Sequence, residues 1–221
     1  MTLNLPPYEA LPPPPDDRRS LLEVPVAALR PTQLCVGLAE VRQRQRDFAA
    51  DDADERRRYL RRKPVPLVQA ADGLFWMVDR HHRLRALLEI DPGATAWGYP
   101  VLEVPAGGPE VVLPLLARRG WLYLHDGRGR GPLAPASLPA GLGQLQDDPY
   151  RSLVWKLKQE GVIDAAPLIP FHEFRWGAWL RRRSLPPFQS HCLEPALPAA
   201  RTYARSAAAS VLAGWRGAAR D

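Results

Sequence analysis

The residues best suited to chemistry lie at 79–83, where the sequence is Asp-Arg-His-His-Arg. An apolar strand pattern precedes this run and a helix pattern follows it. Free backbone N–H groups and the positive end of a helix dipole should therefore meet there and favour phosphate. His81 and His82 are suited to act as an acid, as a base or as hydrogen-bond donors to phosphate. Arg83 can bind phosphate with two parallel hydrogen bonds, and Asp79 can orient a histidine or hold a metal ion. The alternative is a capped helix, with Asp79 as its N-cap and the histidines on a polar rim.

Carboxylates and an arginine elsewhere in the chain are further candidates. Glu40 on a predicted helix would supply a base or a magnesium ligand if it faces the histidines, or would simply pair with Arg44 at i, i+4. Asp148 precedes Pro149 and is a natural N-cap. Arg151 in the first turn of that helix is badly placed for the dipole, which predicts an acidic or phosphate partner.

The elements around the 79–83 run have clear local signals. The pattern predicts a strand at 65–68, a hairpin turn at Asp72-Gly73, a second strand at 74–78 and a helix over 82–90. This order of strand, turn, strand and helix indicates a mixed α/β fold.

The flanking segments are predicted from the same kinds of signal. We expect a strand from Leu21 and a turn at Arg30-Pro31. A helix is predicted to include residues from Val36 to Arg46 and to continue or restart through 51–62, where its charged face would be exposed to solvent. Beyond the central unit the predictions are a strand around 100–104, a mobile Gly/Arg-rich loop at 121–135, and helices from Pro149 and within 170–184. Prolines interrupt the sequence beyond 105, and no helix-turn-helix pair is predicted there.

Composition limits the organisation of the chain. Its 221 residues suit one domain, and the 25 prolines cluster first at 5–15. We expect a disordered Pro-rich arm at 1–20, one domain at 21–190 and an Ala/Arg-rich tail or helix at 191–221. No apolar run is long enough for a membrane span, and the N-terminus has no signal-peptide pattern, so the predicted location is cytoplasmic.

Charge and cysteine content narrow the partners. The net charge of +6 favours polyanions such as DNA or nucleotides, although 27 of the 30 cations are arginines, a bias that genome composition also produces. Cys35 and Cys192 are too few for a disulfide framework or a multi-thiolate zinc site.

Five segments occur in an order that points to a known family. They are ALRPTQLCVGLAEV (28–41), KPVPLV with DGLFWMVDRHHRLRAL (63–87), WLYLHDGRG (121–129), LPAGLGQLQDDPYRSLVW (138–155) and PFHEFRWGAWLRRR (170–183). Together they resemble the ParB-like nuclease family, a branch of the ParB/sulfiredoxin superfamily, over about residues 24–190.

The resemblance implies an α/β (α+β) fold with a small mixed sheet, flanking helices and a phosphate-holding turn. By position, Asp79, His81, His82 and Arg83 match the phosphate motif, while Arg80 stands where relatives usually have glycine or histidine. The implied catalytic residues are Glu40, Asp79, His81 and His82. Arg80 and Arg83 would bind phosphate or nucleotide, and Asp148, Arg151 and Ser152 are candidate substrate contacts.

The activities of relatives leave several functions open. The first prediction is a nuclease or phosphodiesterase acting on DNA or nucleotides, with a Mg²⁺ ion held by Asp79 or Glu40 if a metal takes part. The alternatives are a nucleotide-dependent free-serine or small-molecule kinase and a non-catalytic nucleotide-gated binding protein. A kinase would need a carboxylate near position 33, where this chain has Gln33, and Glu40 further along the chain could substitute for it. No cysteine lies near the turn, which argues against sulfinic acid reduction.

Overall fold

A mixed β-sheet supports the helix that begins within residues 79–83. The computed structural model describes residues 7–217. Seven strands lie within them: β1 (Leu22–Pro25), β2 (Leu29–Pro31), β3 (Cys35–Val36), β4 (Val65–Ala70), β5 (Phe75–Met77), β6 (Thr95–Val104) and β7 (Gln146–Asp147). Five form one sheet in the order β1-β6-β4-β5-β2, and β3 pairs with β7 separately. The sheet is mixed because β4 runs parallel to β6 but antiparallel to β5.

Helices flank this sheet. Residues 7–217 contain α1 (Leu38–Ala50), α2 (Ala53–Arg62), α3 (His81–Ile90), α4 (Pro109–Arg118), α5 (Pro149–Gln159), α6 (His172–Leu180) and α7 (Leu197–Arg205). None of these helices is long and apolar enough to cross a membrane. The predicted single-domain α/β fold with a small mixed sheet and flanking helices is confirmed.

The central prediction of strand, turn, strand and helix matches the structure closely. Gly73 occupies the hairpin with a φ of 82°, a left-handed conformation that glycine adopts without steric cost. The Asp72 carboxylate accepts the Leu74 N–H at 3.0 Å and closes the turn. The hairpin β4–β5 then delivers the chain directly to the start of α3.

Several boundaries differ from the prediction. Residues 29–31 form strand β2 rather than a turn, and Val36 lies in β3 because α1 begins only at Leu38. Helix α4 was not expected, since Pro114 lies inside it and cannot donate a helical hydrogen bond. Its apolar face, Val112, Leu113 and Leu116, is buried in a hydrophobic cluster, and this burial offsets the missing bond.

The described part of the N-terminal arm is packed rather than disordered. Leu11 is 4% exposed, and its N–H donates to the Leu168 carbonyl at 3.0 Å. The indole N–H of Trp121 donates to the Glu9 carbonyl, and the Tyr99 hydroxyl donates to the Pro12 carbonyl. The prediction of disorder is therefore wrong for residues 7–20, because proline-rich backbone still offers carbonyl acceptors. Residues 1–6 of the predicted arm lie outside the described residues.

The C-terminal segment also belongs to the folded body. Helix α7 buries Leu197, Ala200 and Ala204 in the same cluster as Leu153 of α5 and Trp176 of α6. The segment predicted as a tail or helix at 191–221 thus contains the helix α7 and packs on the domain within residues 191–217, while residues 218–221 of that prediction lie outside the described residues.

The start of α1 is held by groups from distant parts of the chain. The N–H of Leu38 donates to Asp147 at 3.0 Å, and the N–H of Ala39 donates to the Ser152 hydroxyl at 3.1 Å. Ser190 completes the arrangement through bonds of 2.8 Å to Ser152 and 2.7 Å to Asp147. Ser152 and Asp147 thus satisfy helix N–H groups that the α1 sequence itself leaves open.

This junction leaves no room for a side chain at Gly37. A Cβ there would lie 2.7 Å from the Ser152 backbone nitrogen, whereas a Cβ at Gly141 would meet nothing within 4 Å. We expect Gly37→Ala to reduce the free energy of unfolding by about 1–3 kcal/mol through overpacking. The matched variant Gly141→Ala should stay within about 0.5 kcal/mol of wild type. Urea unfolding measures both, and equal stability of the two variants would contradict this account of the junction.

Candidate phosphate-binding site

The strand-to-helix junction begins with a residue in a left-handed conformation. Arg80 has a φ of 77° and occupies the N-cap position of α3, where its side chain caps no helix N–H. The Asp79 carboxylate instead accepts the backbone N–H and Nη1 of Arg80, both at 2.7 Å. Asp79 is therefore not the N-cap of α3. Positive φ in a long-chain residue is costly and concentrates at functional sites.

His81 and His82 connect α3 to the segment between β2 and α1. The Thr32 N–H donates to Nε2 of His81 at 3.2 Å, and the Gly37 N–H donates to Nε2 of His82 at 2.9 Å. An Nε2 that accepts a hydrogen bond carries no proton, so each neutral ring holds its proton on Nδ1. Both rings line the adjoining cavity.

Burial keeps these histidines neutral. It lowers the pKa of His81 to about 3. Burial, with the positive charge of Arg151 as the next cause, holds the pKa of His82 well below its usual range. Each imidazole is therefore a neutral Nδ1–H donor in this arrangement. Their predicted role as acid or base stays a prediction.

A second helix begins at the same cavity. Phe171 is the N-cap of α6 with a φ of 54°, again without a side-chain cap, and Phe171, Glu173 and Phe174 line the cavity. The N-terminal ends of α3 and α6 thus both border it, and both helix dipoles contribute positive potential there. The cavity holds about 230 Å³.

Arg151 is a buried arginine in this cavity whose guanidinium is only partly hydrogen-bonded. Its side chain is 6% exposed, and its Nη2 donates to Glu40 at 2.9 Å and lies 3.8 Å from Glu173. Its Nε and Nη1 are buried and have no partner among residues 7–217. Buried guanidinium N–H groups without acceptors are costly, so these two donors are available to an acceptor that enters the cavity.

Charges alternate along this wall of the cavity. Arg44 lies 3.8 Å from Glu40, Glu40 pairs with Arg151, and Lys158 pairs with Glu173. Burial raises the pKa of Glu173, but the charges of Arg151 and Lys158 outweigh it and hold that pKa far below its usual range. The lining includes five Arg and Lys residues and three carboxylates, so the wall stays net positive.

The structure brings together most, but not all, of the predicted site residues. Glu40, Arg151 and the whole 79–83 run line the cavity. Arg83 donates to the Lys63 carbonyl at 3.1 Å, while its buried Nε has no partner in the described part of the chain. Asp148 instead caps α5 and pairs with Arg181 at 2.6 Å, and Ser152 holds the start of α1.

The carboxylates are poorly suited to magnesium. Glu40 is paired with Arg151 and Arg44, and Asp79 with Arg80. Mg²⁺ requires several oxygen ligands, and neighbouring guanidinium groups repel it. No group of three or more metal-ligating side chains occurs within residues 7–217. The donor set does not fit a resident magnesium ion.

Sequence reasoning missed several lining residues, namely Lys158, Phe171, His172, Glu173 and Phe174. The aromatic residues of α6 were predicted to be core, which holds for Trp176 and Trp179 but not for Phe171. No local signal marks a phenylalanine that takes a left-handed N-cap conformation. Lys158 and Glu173 pair across two helices, which only the tertiary fold brings together.

The fold is mixed α/β, and the candidate anion-binding groups lie at a strand-to-helix junction. A family model of ParB-like nucleases matches residues 22–182. The chain belongs to the ParB-like nuclease family, which confirms the resemblance derived from the five segments.

Comparison with solved structures finds a protein of similar fold. The crystal structure of protein Atu1540 from Agrobacterium tumefaciens is similar, with a TM-score of 0.76 and 28% sequence identity over 90% of this chain and 99% of that one. No curated protein matches the chain.

The buried neutral histidines predict how stability depends on pH. A histidine whose pKa is lowered by folding binds its proton more readily when unfolded. Its contribution to stability is therefore complete above about pH 6.5 and is lost as the pH falls towards the folded pKa. Between pH 6.5 and 5, the free energy of unfolding should fall by up to about 1.4 kcal/mol per pH unit for each histidine.

Urea unfolding at pH 7.5, 6 and 5 tests this expectation. His81→Gln and His82→Gln keep an acceptor for the backbone N–H groups and should each flatten the pH dependence. The exposed His191 provides the control His191→Gln, which should leave the slope unchanged. A slope that survives the double substitution at 81 and 82 would show that other groups titrate.

Proposed function

We propose that the chain binds a phosphate ester of DNA or of a nucleotide in the cavity and hydrolyses it. The observation that carries this proposal is the buried Arg151 guanidinium, whose Nε and Nη1 lack protein acceptors beside the start of α3. Charged guanidinium donors, Nδ1–H donors and helix N-termini are the groups that bind phosphate oxygens. The family assignment supports the same class of substrate.

The cavity size restricts what enters. A volume of about 230 Å³ is below the usual range of about 300–1,000 Å³ for sites that enclose a drug-sized ligand. One phosphate group with part of its sugar suits this space better than a nucleoside triphosphate together with serine. The kinase alternative therefore has no specific support here.

The proposed reaction uses water as the nucleophile. Arg151, Arg83 and the two Nδ1–H groups would hold the phosphate oxygens and stabilise the charge that develops on them. Asp79, a carboxylate at the cavity with 39% side-chain exposure, would accept a proton from the attacking water. A new P–O bond forms, the ester P–O bond breaks, and the departing oxygen takes a proton from solvent.

Binding without turnover is the second candidate. Both Nε2 atoms accept backbone N–H groups, and Glu40 and Asp79 are paired with arginines. If these pairs persist when ligand binds, no group is free to accept a proton, and the site is that of a nucleotide-gated binding protein.

Substitution of Arg151 tests the site. Arg151→Lys keeps a positive charge for Glu40 and Glu173 but lacks the two unpartnered N–H donors. We expect it to weaken phosphate or mononucleotide binding by about 1.5–3 kcal/mol, the range for one hydrogen bond to a charged group. Isothermal titration measures the affinity.

The matched control is Arg181→Lys, which alters another ion-paired arginine, the partner of the buried Asp148. That arginine does not line the cavity. Unchanged affinity in Arg151→Lys, or an equal loss in both variants, would place the ligand elsewhere.

Substitution of Asp79 separates hydrolysis from binding. Asp79→Asn should reduce DNA nicking or nucleotide hydrolysis by about 100-fold or more, as is typical for loss of a general base, with phosphate affinity retained. Asp54→Asn, at an exposed site on α2, is the control. Assays with EDTA and with added Mg²⁺ show whether a metal takes part. Binding with no turnover in wild type would establish the second candidate instead.

A further inference from the structure

The C-terminal half of α2 presents a cluster of cations beside the cavity. Arg18, Arg58, Arg61, Arg62 and Lys63 together line a shallow groove. No carboxylate lines this groove, and all of the five except Arg18 are exposed. We call these five residues the α2 basic groove.

Three cations of this groove form no close ion pair within the described part of the chain, although Asp51 and Glu55 line a neighbouring depression together with Arg58 and Arg62. Within residues 7–217, no ion pair within 4 Å involves Arg58, Arg62 or Lys63. By contrast, Arg85 is paired with Glu89, Arg130 with Asp126 and Arg181 with Asp148.

The α2 basic groove is physically continuous with the cavity. Arg83 lines the cavity, and its Nη1 donates to the carbonyl of Lys63 at 3.1 Å. Its guanidinium also lies over the ring of Tyr59 in α2, 5.0 Å from the ring centroid. One arginine therefore joins the phosphate-binding wall to the end of α2.

Like charges at this density repel one another, which costs stability unless an anion neutralises them. Helix-dipole complementarity explains cations in the last turn, but Arg58 and Arg18 lie outside that turn. An extended polyanion whose phosphate enters the cavity would meet the groove next.

We propose that the α2 basic groove binds the phosphate backbone of a nucleic-acid strand whose reacting phosphate lies in the cavity. This inference rests on the proposed function and deepens it, because it makes a polynucleotide rather than a free nucleotide the ligand. Contacts to phosphates position a strand without selecting its sequence.

The experiment compares two ligands and two sets of substitutions in the full chain. The first ligand is a labelled single strand of about 20 nucleotides, tested separately as DNA and as RNA. The second ligand is a nucleoside monophosphate. The groove variant is Arg58→Glu/Arg62→Glu/Lys63→Glu. The matched control makes the same charge change at other exposed arginines, Arg118→Glu/Arg182→Glu/Arg205→Glu.

We expect the groove variant to lose at least about 30-fold in affinity for the strands at moderate salt and to keep its affinity for the monophosphate. The slope of log affinity against log salt should become shallower by about 2, since each phosphate contact on a single strand contributes about 0.7. The control should lose much less. Arg58→Gln/Arg62→Gln/Lys63→Gln gives a milder test if the Glu variant fails to fold.

The outcomes separate this inference from the proposed function. Three results would contradict the proposed role of the groove. They are no strand binding by the wild type, strand binding that the groove substitutions leave unaffected, and an equal loss of strand binding in the groove and control variants. Equal loss of strand and monophosphate would also overturn it. Strand binding that depends on the groove while wild type ignores the monophosphate would uphold the groove and contradict the cavity proposal.

Discussion

Two backbone-to-imidazole hydrogen bonds organise the site. They join Thr32 to His81 and Gly37 to His82, and so fix the start of α3 against the segment that leads into α1. Because both rings must accept at Nε2, the protein can hold them only in the neutral form, and burial enforces that form. The position of Glu40, in the first turn of α1, follows from the same contacts. A histidine that serves as a structural acceptor at one nitrogen still offers an N–H to a ligand at the other.

Arg151 contributes a buried positive charge to the wall of the cavity. A buried guanidinium needs carboxylates to compensate for lost hydration, and Glu40 and Glu173 supply them on one side only. Full neutralisation by more acidic residues would satisfy Arg151 but would repel an anion. The alternating charges from Arg44 to Lys158 keep the arginine ionised and leave its Nε and Nη1 for a ligand. The unfilled donors therefore have a structural cost that a bound phosphate would remove.

The parts of this architecture that follow local rules were predictable from sequence. The Asp72-Gly73 turn, the Pro149 start of α5 and the strand-to-helix junction at 79–83 depend on residues close together in the chain, and the structure matches them. Tertiary burial overrode local signals at Pro114 and at Leu11, where prolines suggested irregular or disordered chain. The acidic partner expected for Arg151 exists, but its identity depends on contacts over more than 100 residues. The left-handed Phe171 and the pairing of Asp148 away from the cavity had no sequence signal.

The division between a small cavity and a basic groove has a consequence for specificity. Under the proposed function, the cavity of about 230 Å³ would recognise phosphate, and nearly every nucleotide offers that same group. Discrimination among phosphate esters must then come from surfaces outside it. In the proposed complex, the cations of the α2 basic groove would favour length and charge over base identity, because phosphates repeat along a strand whatever its sequence. Arg83 touches both regions, so a change in how a strand lies on α2 would reach the reacting phosphate through one side chain.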